Sequence, residues 1–401
     1  MYQAQADAAT QLRLWANTAS AMLRNPFAEA LAPYGMRYIT AGYEMLGRAG
    51  FSHTRPAFGI DAIRIDDVDV PVREEVADAT PFATLLHFAK DVALPLPRVL
   101  VVAPMSGHFA TLLRATVRTM LPDHDVYLTD WHNARDVSVA DGRFGIDEYV
   151  DHLIRFLETI GPGGHIVAVC QPCVPALAAV SIMAEDGNAA QPRSLTLMAG
   201  PVDARINPTS VNELSISHPM EWFEQNLIAT VPQRYRGATR RVYPGFVQLL
   251  AFISMNFERH MKAHYELYDD YLKGEDAKAQ TIASFYDEYF SVADLPAEFY
   301  LETVQSIFQD YALARGTLEW HGRRVNPAAI ERTALFTVEG ERDDVCGIGQ
   351  TMAAHELCTG IRPFRKRHHL QPGVGHYGVF SGRRWAQQIY PVLRNVILAA
   401  D

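Results

Sequence analysis

Cysteine is scarce in this chain, with four in 401 residues. So few thiols cannot form the framework of a long chain. Residues 1–7 (MYQAQAD) also carry no basic, apolar leader. We therefore expect reduced thiols and a cytoplasmic protein. Basic residues are outnumbered, with 36 Lys and Arg against 46 Asp and Glu, for a net charge of −10. That balance gives no general attraction to phosphate backbones, so nucleic acid is not an expected partner. No apolar run approaches the ~18 residues that would cross a bilayer. The long stretches are interrupted, as at 249–253 (LLAFI). Internal repeats and low-complexity tracts are missing as well.

What is present is an ordinary globular balance of 48% apolar and 20% charged residues. Residues 8–50 read as helical, with Leu12, Trp15, Met22 and Leu23 at near-helical spacing. Such a segment either packs on the body of the protein or adsorbs to an apolar surface. Residues 60–96 contain alternating stretches expected to form early antiparallel strands. Short apolar runs follow at 98–103 (RVLVVA), 126–129 (VYLT), 165–169 (HIVAV) and 194–198 (SLTLM), the type expected of buried parallel strands. Helical patterns at 146–160 and 174–184 alternate with them. The alternation predicts a doubly wound, mostly parallel sheet.

After Asp203 the pattern changes. Residues 210–325 read as almost wholly helical and are rich in large aromatics. Two further strands follow, at 334–338 (ALFTV) and near 365–370, and a closing helix at 384–399. We therefore expect an N-terminal helical segment (1–55), an α/β core (56–209 and 326–401) and a helical cap inserted between sheet strands (210–325). An insertion at that place lies over the edge of the sheet where ligands bind.

Cys170 follows the strand at 166–169 and precedes a helical pattern. A nucleophile on such a turn is held out above the sheet, with small or permissive residues two positions either side. Those residues are Ala168 and Pro172 in place of the more usual glycines, so the bare motif is weak. Pro172 suits the first turn of a helix. Gln171 keeps a backbone N–H that can point at an oxyanion. The loop after the strand ending at Ala103 and Pro104 supplies the second oxyanion amide in this arrangement, from Met105 or Ser106.

A Gly-x-x-Asp leaves the first strand after the insertion, making Asp343 a candidate to orient a histidine. Asp344 is one residue late, and Asp203 is a third candidate. Of 15 histidines, His376 stands between Gly375 and Gly378 after the last strand, where glycines allow close approach to other backbones. His368 and His369 lie beside Arg365, Lys366 and Arg367 and read as a solvated face. Nucleophile, acid and base then run Cys, Asp, His, the chain order of α/β-hydrolases. Cys170 and Cys173 also form a Cys-x-x-Cys at a strand-to-helix junction, as in thioredoxin-like redox proteins. That reading leaves the late Asp and His without a role. A zinc site adding Cys346 and Cys358 lacks a second close pair.

Three stretches, Val169-Cys170-Gln171-Pro172, Gly340-Glu341-Arg342-Asp343-Asp344 and Gly375-His376-Tyr377-Gly378, together resemble the intracellular polyhydroxyalkanoate depolymerases. Those are bacterial enzymes acting on stored poly(3-hydroxybutyrate), and the resemblance covers nearly the whole chain. It implies an α/β-hydrolase fold, with helices on both faces of a mostly parallel sheet and a helical cap. It implies a Cys-Asp-His triad at Cys170, Asp343 and His376 that cleaves esters through an acyl-thioester, with no cofactor or metal. The implied partner is a polyester chain or granule, and the implied location is the cytoplasm at storage granules. Polyester synthases use a similar triad but usually carry glycines around the cysteine and are longer. Synthase-like acyl transfer, or another carboxylesterase or thioesterase on the same fold, is the alternative.

Overall fold

The short apolar runs become strands of one sheet in the computed structural model, which describes residues 14–20, 22, 33–48, 50–91, 95–255 and 257–401. These strands are β1 (Ala62–Ile65), β2 (Val68–Ala79), β3 (Ala83–Lys90), β4 (Arg98–Val102), β5 (Asp125–Trp131), β6 (His165–Val169), β7 (Ser194–Met198), β8 (Ala334–Gly340) and β9 (Lys366–Gln371). Their spatial order is β1-β2-β3-β5-β4-β6-β7-β8-β9. The first three strands are joined by antiparallel pairings, and β3 is antiparallel to β5. From β5 to β9 every pair is parallel. All residues of β6 and β7 are buried. Strands covered on both faces need no polar alternation, which is why they read as continuous apolar runs.

The expected helix at 146–160 is Ile146–Ile160. It buries Ile146, Tyr149, Val150, Leu153, Phe156, Leu157 and Ile160, an apolar stripe at helical spacing. Asp147 and Glu148 sit in its first turn, where the helix dipole favours anions. The Glu148 carboxylate also accepts the Gly145 N–H at 2.6 Å. The helix Cys173–Glu185 is buried from Cys173 through Met183, and its apolar character all round matches that position.

Connection order positions the site. From β4 the chain crosses to β5 on one side, whereas from β6 it crosses to β7 on the other. Right-handed crossovers running in opposite directions put their helices on opposite faces. They leave a crevice outside the carboxyl ends of β4 and β6, where doubly wound sheets bind ligands. Met105 and Ser106 follow β4, and Cys170 follows β6.

The described residues form two compact units. One comprises Met1–Pro56, Gly107–Phe109 and Pro244–Asp294. The other, which holds the sheet, comprises Ala57–Ser106, Ala110–Tyr243 and Leu295–Asp401. Residues 210–325 are thus shared between the units. Within the first unit, helices Pro33–Arg48, Phe257–Lys273 and Asp276–Tyr289 meet at Leu267, Ala279 and Ala283, with Met45, Tyr271 and Ile282 packed on them. A helix is present over residues 14–20, and Trp15 and Met22 are exposed; Leu12 and Leu23 lie outside the described residues.

Two expectations are corrected. The segment 210–325 is not almost wholly helical. Ala229–Thr230, Arg241–Tyr243 and Leu295–Pro296 form a small antiparallel sheet, and Glu319–Trp320 pairs with Arg323–Arg324. Strands this short leave too little alternation to read. Nor are His368 and His369 a solvated face: both are half-buried on β9, and His368 Nδ1 lies 2.9 Å from Thr337 Oγ1 on β8. Among the described residues no helix is long and apolar enough to cross a membrane.

Candidate active site

The turn after β6 is tight. Cys170 has φ +68°, a left-handed conformation that costs a side-chain-bearing residue energy and clusters at functional sites. Two backbone bonds hold it there. The Cys170 N–H donates to Met198 O at 2.7 Å, and the Cys173 N–H donates to Cys170 O at 3.1 Å. Pro172 precedes the helix beginning at Cys173, a position where its missing N–H costs nothing. Cys170 is half-buried, while Cys173 is buried, with Sγ 3.5 Å from Ala168 O and 3.7 Å from Met198 O. Burial pushes the Cys173 thiol well up, with the neighbouring Cys170 adding to the effect. All four cysteines are free thiols.

Asp343 follows β8. Its Oδ1 accepts the N–H groups of Val345 and Cys346, each at 2.9 Å. The carboxylate faces the His376 imidazole, with Nδ1 2.8 Å from Oδ2 and 3.1 Å from Oδ1. Nδ1 must carry the proton in that pair, because an ionised carboxylate can only accept. That leaves Nε2 for a second partner. Both side chains are almost fully buried, at 1% exposure for Asp343 and 7% for His376. Burial alone pushes the imidazolium down. Asp343 and Cys170 more than offset it, so His376 is held well above its ordinary value. Phe380 and Tyr377 meet the imidazole edge-on, at 5.7 and 5.8 Å. The glycines around His376 lie close to their neighbours, Gly378 the more tightly. A Cβ on Gly375 would come 3.2 Å from Arg342 O, and one on Gly378 would come 2.8 Å from Val374 Cβ.

The other acid candidates are engaged elsewhere. Asp203 forms a two-pronged pair with Arg205, at 2.8 Å from Nε and 2.7 Å from Nη2. The Arg205 hydrogen bonds hold its carboxyl below the usual range. Asp344 is exposed. On the loop expected to carry an oxyanion donor, the Met105 N–H donates to the Gln171 side-chain Oε1 at 3.2 Å.

Sequence reasoning missed three supporting residues. Gly200 runs against the Cys170 turn: a Cβ there would lie 2.2 Å from Cys173 Sγ and 2.5 Å from Cys170 O. Thr351 Oγ1 holds Gly200 at 2.9 Å from both its N and its O. The buried Glu339 carboxylate accepts the N–H groups of Gly349, Thr351 and Met352 at 2.8–2.9 Å, fixing the loop beyond Asp343. The available signal for Glu339 was a lone carboxylate near the end of a mostly apolar strand, which must find donors when buried.

The family model of the PHB de-polymerase C-terminus matches residues 199–401, half of the chain. Among curated proteins none matches the sequence. Solved structures that it resembles include 2-hydroxy-6-oxo-6-phenylhexa-2,4-dienoate hydrolase from a Rhodococcus, at 12% identity and TM-score 0.43, covering 82% of this chain and 99% of that one. Another is a meta-cleavage product hydrolase from Pseudomonas fluorescens, at 12% identity and TM-score 0.41, covering 85% and 98%. The strand order and the turn at Cys170 carry the fold assignment independently of them. The chain belongs to the PHB depolymerase family, with an α/β-hydrolase fold and the class of an ester hydrolase.

Proposed function

We propose that the protein is an intracellular depolymerase that hydrolyses ester bonds of stored poly(3-hydroxybutyrate) at cytoplasmic granules, with Cys170 as nucleophile, His376 as base and Asp343 as its orienting acid. The observation that carries this reading is the buried His376, hydrogen-bonded at Nδ1 to Asp343, with Cys170 among the groups that hold its proton affinity up. His376 takes the thiol proton through Nε2, and Cys170 Sγ attacks a polyester carbonyl. As the tetrahedral intermediate collapses, the C–O bond breaks and His376 returns the proton to the leaving hydroxyl. Water, deprotonated by His376, then cleaves the acyl-thioester and frees the thiol.

The test compares two neighbouring cysteines. Cys170→Ala is expected to abolish cleavage of both a soluble short-chain ester and amorphous polymer granules. Cys173→Ala is expected to retain most of both, since its buried thiol contacts only backbone carbonyls in the described hydrogen bonds. Equal loss in the two variants, with folding intact, would favour a dithiol and sink the proposal.

A further inference from the structure

We infer that the Gln171 side-chain amide, and not the Met105 backbone N–H, is the second donor to the oxyanion. This rests on the reading of Cys170 as the nucleophile. In this fold one oxyanion donor is the backbone N–H after the nucleophile, and the other is a backbone N–H from the loop after β4. Of the two loop candidates, Met105 and Ser106, the Met105 N–H is already taken, because it donates to Gln171 Oε1 at 3.2 Å. The orientation of the Gln171 amide follows from chemistry. A backbone N–H can only face an oxygen, so the other end of the amide is Nε2. Nε2 is buried and has no hydrogen-bond partner among the described residues.

A buried donor left unpaired is unfavourable unless something arrives to meet it. Gln171 begins beside Cys170 and its amide ends at Met105, so its side chain spans the gap between the two expected donor positions. Met105 thereby anchors the amide, and Nε2 presents an N–H of the kind an oxyanion needs. Side-chain amides serve this purpose in other hydrolases, where removing one such donor lowers kcat by about 10²–10³-fold. The tetrahedral oxyanion would then accept from the Gln171 backbone N–H and from Gln171 Nε2. No covalent bond changes at Gln171 and no proton is transferred to it.

The competing arrangement is a plug, in which the same side chain covers the Met105 N–H and leaves when substrate binds. Kinetics on a soluble p-nitrophenyl ester separate the two. Gln171→Ala removes the donor and frees the Met105 N–H. Gln171→Glu keeps an acceptor for Met105 but replaces the donor with an oxygen. For both variants we expect kcat to fall about 10²-fold with KM little changed, and the far-UV spectrum and unfolding midpoint to stay near those of the parent. Gln171→Ala with kcat at or above the parent's overturns the inference in favour of a plug. Activity retained by Gln171→Glu overturns it too, because no donor would then be required. Cys170→Ala measured alongside distinguishes the failures. If it is inactive while Gln171→Ala is fully active, only the amide assignment fails. If it is fully active, the nucleophile reading fails.

Discussion

Two buried imidazoles mark the contrast between the sheet edge and the helical unit. His376, after β9, is held well above its ordinary value by Asp343 and Cys170 despite burial. His108 belongs to the helical unit, with the rings of Tyr289 at 5.1 Å and Phe252 at 6.1 Å, and burial pushes it down to about 4. Burial penalises the charged form in both, and a carboxylate in contact reverses the outcome. The sheet edge is therefore organised around specific polar contacts, with Asp343 and Glu339 each satisfied by backbone N–H groups. The helical unit is organised by aromatic and apolar packing.

The largest expected effect comes from erasing that distinction at His376. Asp343→Asn is isosteric but removes the charge and the obligate acceptor that fixes the Nδ1 tautomer. We expect activity to fall by up to ~10⁴-fold on soluble and polymeric substrates alike. Asp203→Asn and Asp344→Asn should cost far less, because Asp203 is paired with Arg205 and Asp344 is exposed. Steady-state rates for the three variants check the ranking, and a result with Asp203 most damaging would move the acid to the loop after β7. The stability change has a definite sign. A raised folded value means the His376 contribution is present below about pH 6.5 and is lost as pH rises through that folded value. Asp343→Asn should therefore narrow its stability gap to the parent as pH rises.

How much of this was legible in the sequence differs between the two regions for a physical reason. Cys170 and Asp343 follow strands whose buried apolar runs are unmistakable, whereas His376 follows the polar, partly exposed β9 and was picked out by its flanking glycines and its place last in the chain order. Gln171 was read only for its backbone, because a side-chain contact to Met105, 66 residues away, leaves no periodic trace. Thr351 escaped for the same reason, whereas Glu339 left only the signal of a lone carboxylate in a mostly apolar strand. In the helical segment, periodicity shows that a face is apolar but not what covers it. The two-residue strands at 229–230 and 295–296 are too short to show any pattern.

Acid should expose the helical unit's histidine. His108 stays neutral when folded until about pH 4, whereas in the unfolded chain it protonates near 6.5. Between those values the unfolded state binds more protons, so stability falls as pH drops through that window. For a fully buried group this amounts to roughly 3 kcal/mol by pH 4. Urea unfolding from pH 7 to 4 should show a flatter profile for His108→Gln than for the parent. Parallel profiles would mean that His108 does not carry the acid sensitivity assigned to it.

A smaller effect is expected from the close approach at Gly200. Gly200→Ala places a methyl 2.2 Å from Cys173 Sγ and 2.5 Å from Cys170 O. Overpacking of this kind costs about 1–3 kcal/mol. Thermal unfolding should register it, and the ester rate should fall as the Cys170 turn is displaced. Adding Cys173→Ala should not restore either property, because the Cys170 carbonyl still stands in the way. Full rescue by that second change would locate the constraint in the thiol and leave the turn free.

The smallest effect is the one that separates the regions by substrate. On the helix Phe257–Lys273, Phe257, Met261 and Tyr265 recur every four residues and so share one face. They are 58%, 42% and 71% exposed. A contiguous apolar stripe in water usually marks an interaction surface, and an insoluble polyester offers a matching apolar one. Complete burial of one such side chain contributes roughly 1.5–3 kcal/mol, and partial contact with a polymer surface contributes less. Replacing all three with serine is therefore expected to weaken binding to amorphous granules by about tenfold and to slow polymer hydrolysis at low granule concentration. The rate on a soluble short-chain ester should change by less than about twofold, since none of the three lies near Cys170, Asp343 or His376 in sequence or belongs to their unit. Co-sedimentation with granules and ester kinetics on the same preparation make the comparison. A proportional loss on both substrates would tie the helical unit to the stability of the sheet edge. No change on either would leave the stripe without a part in polymer recognition.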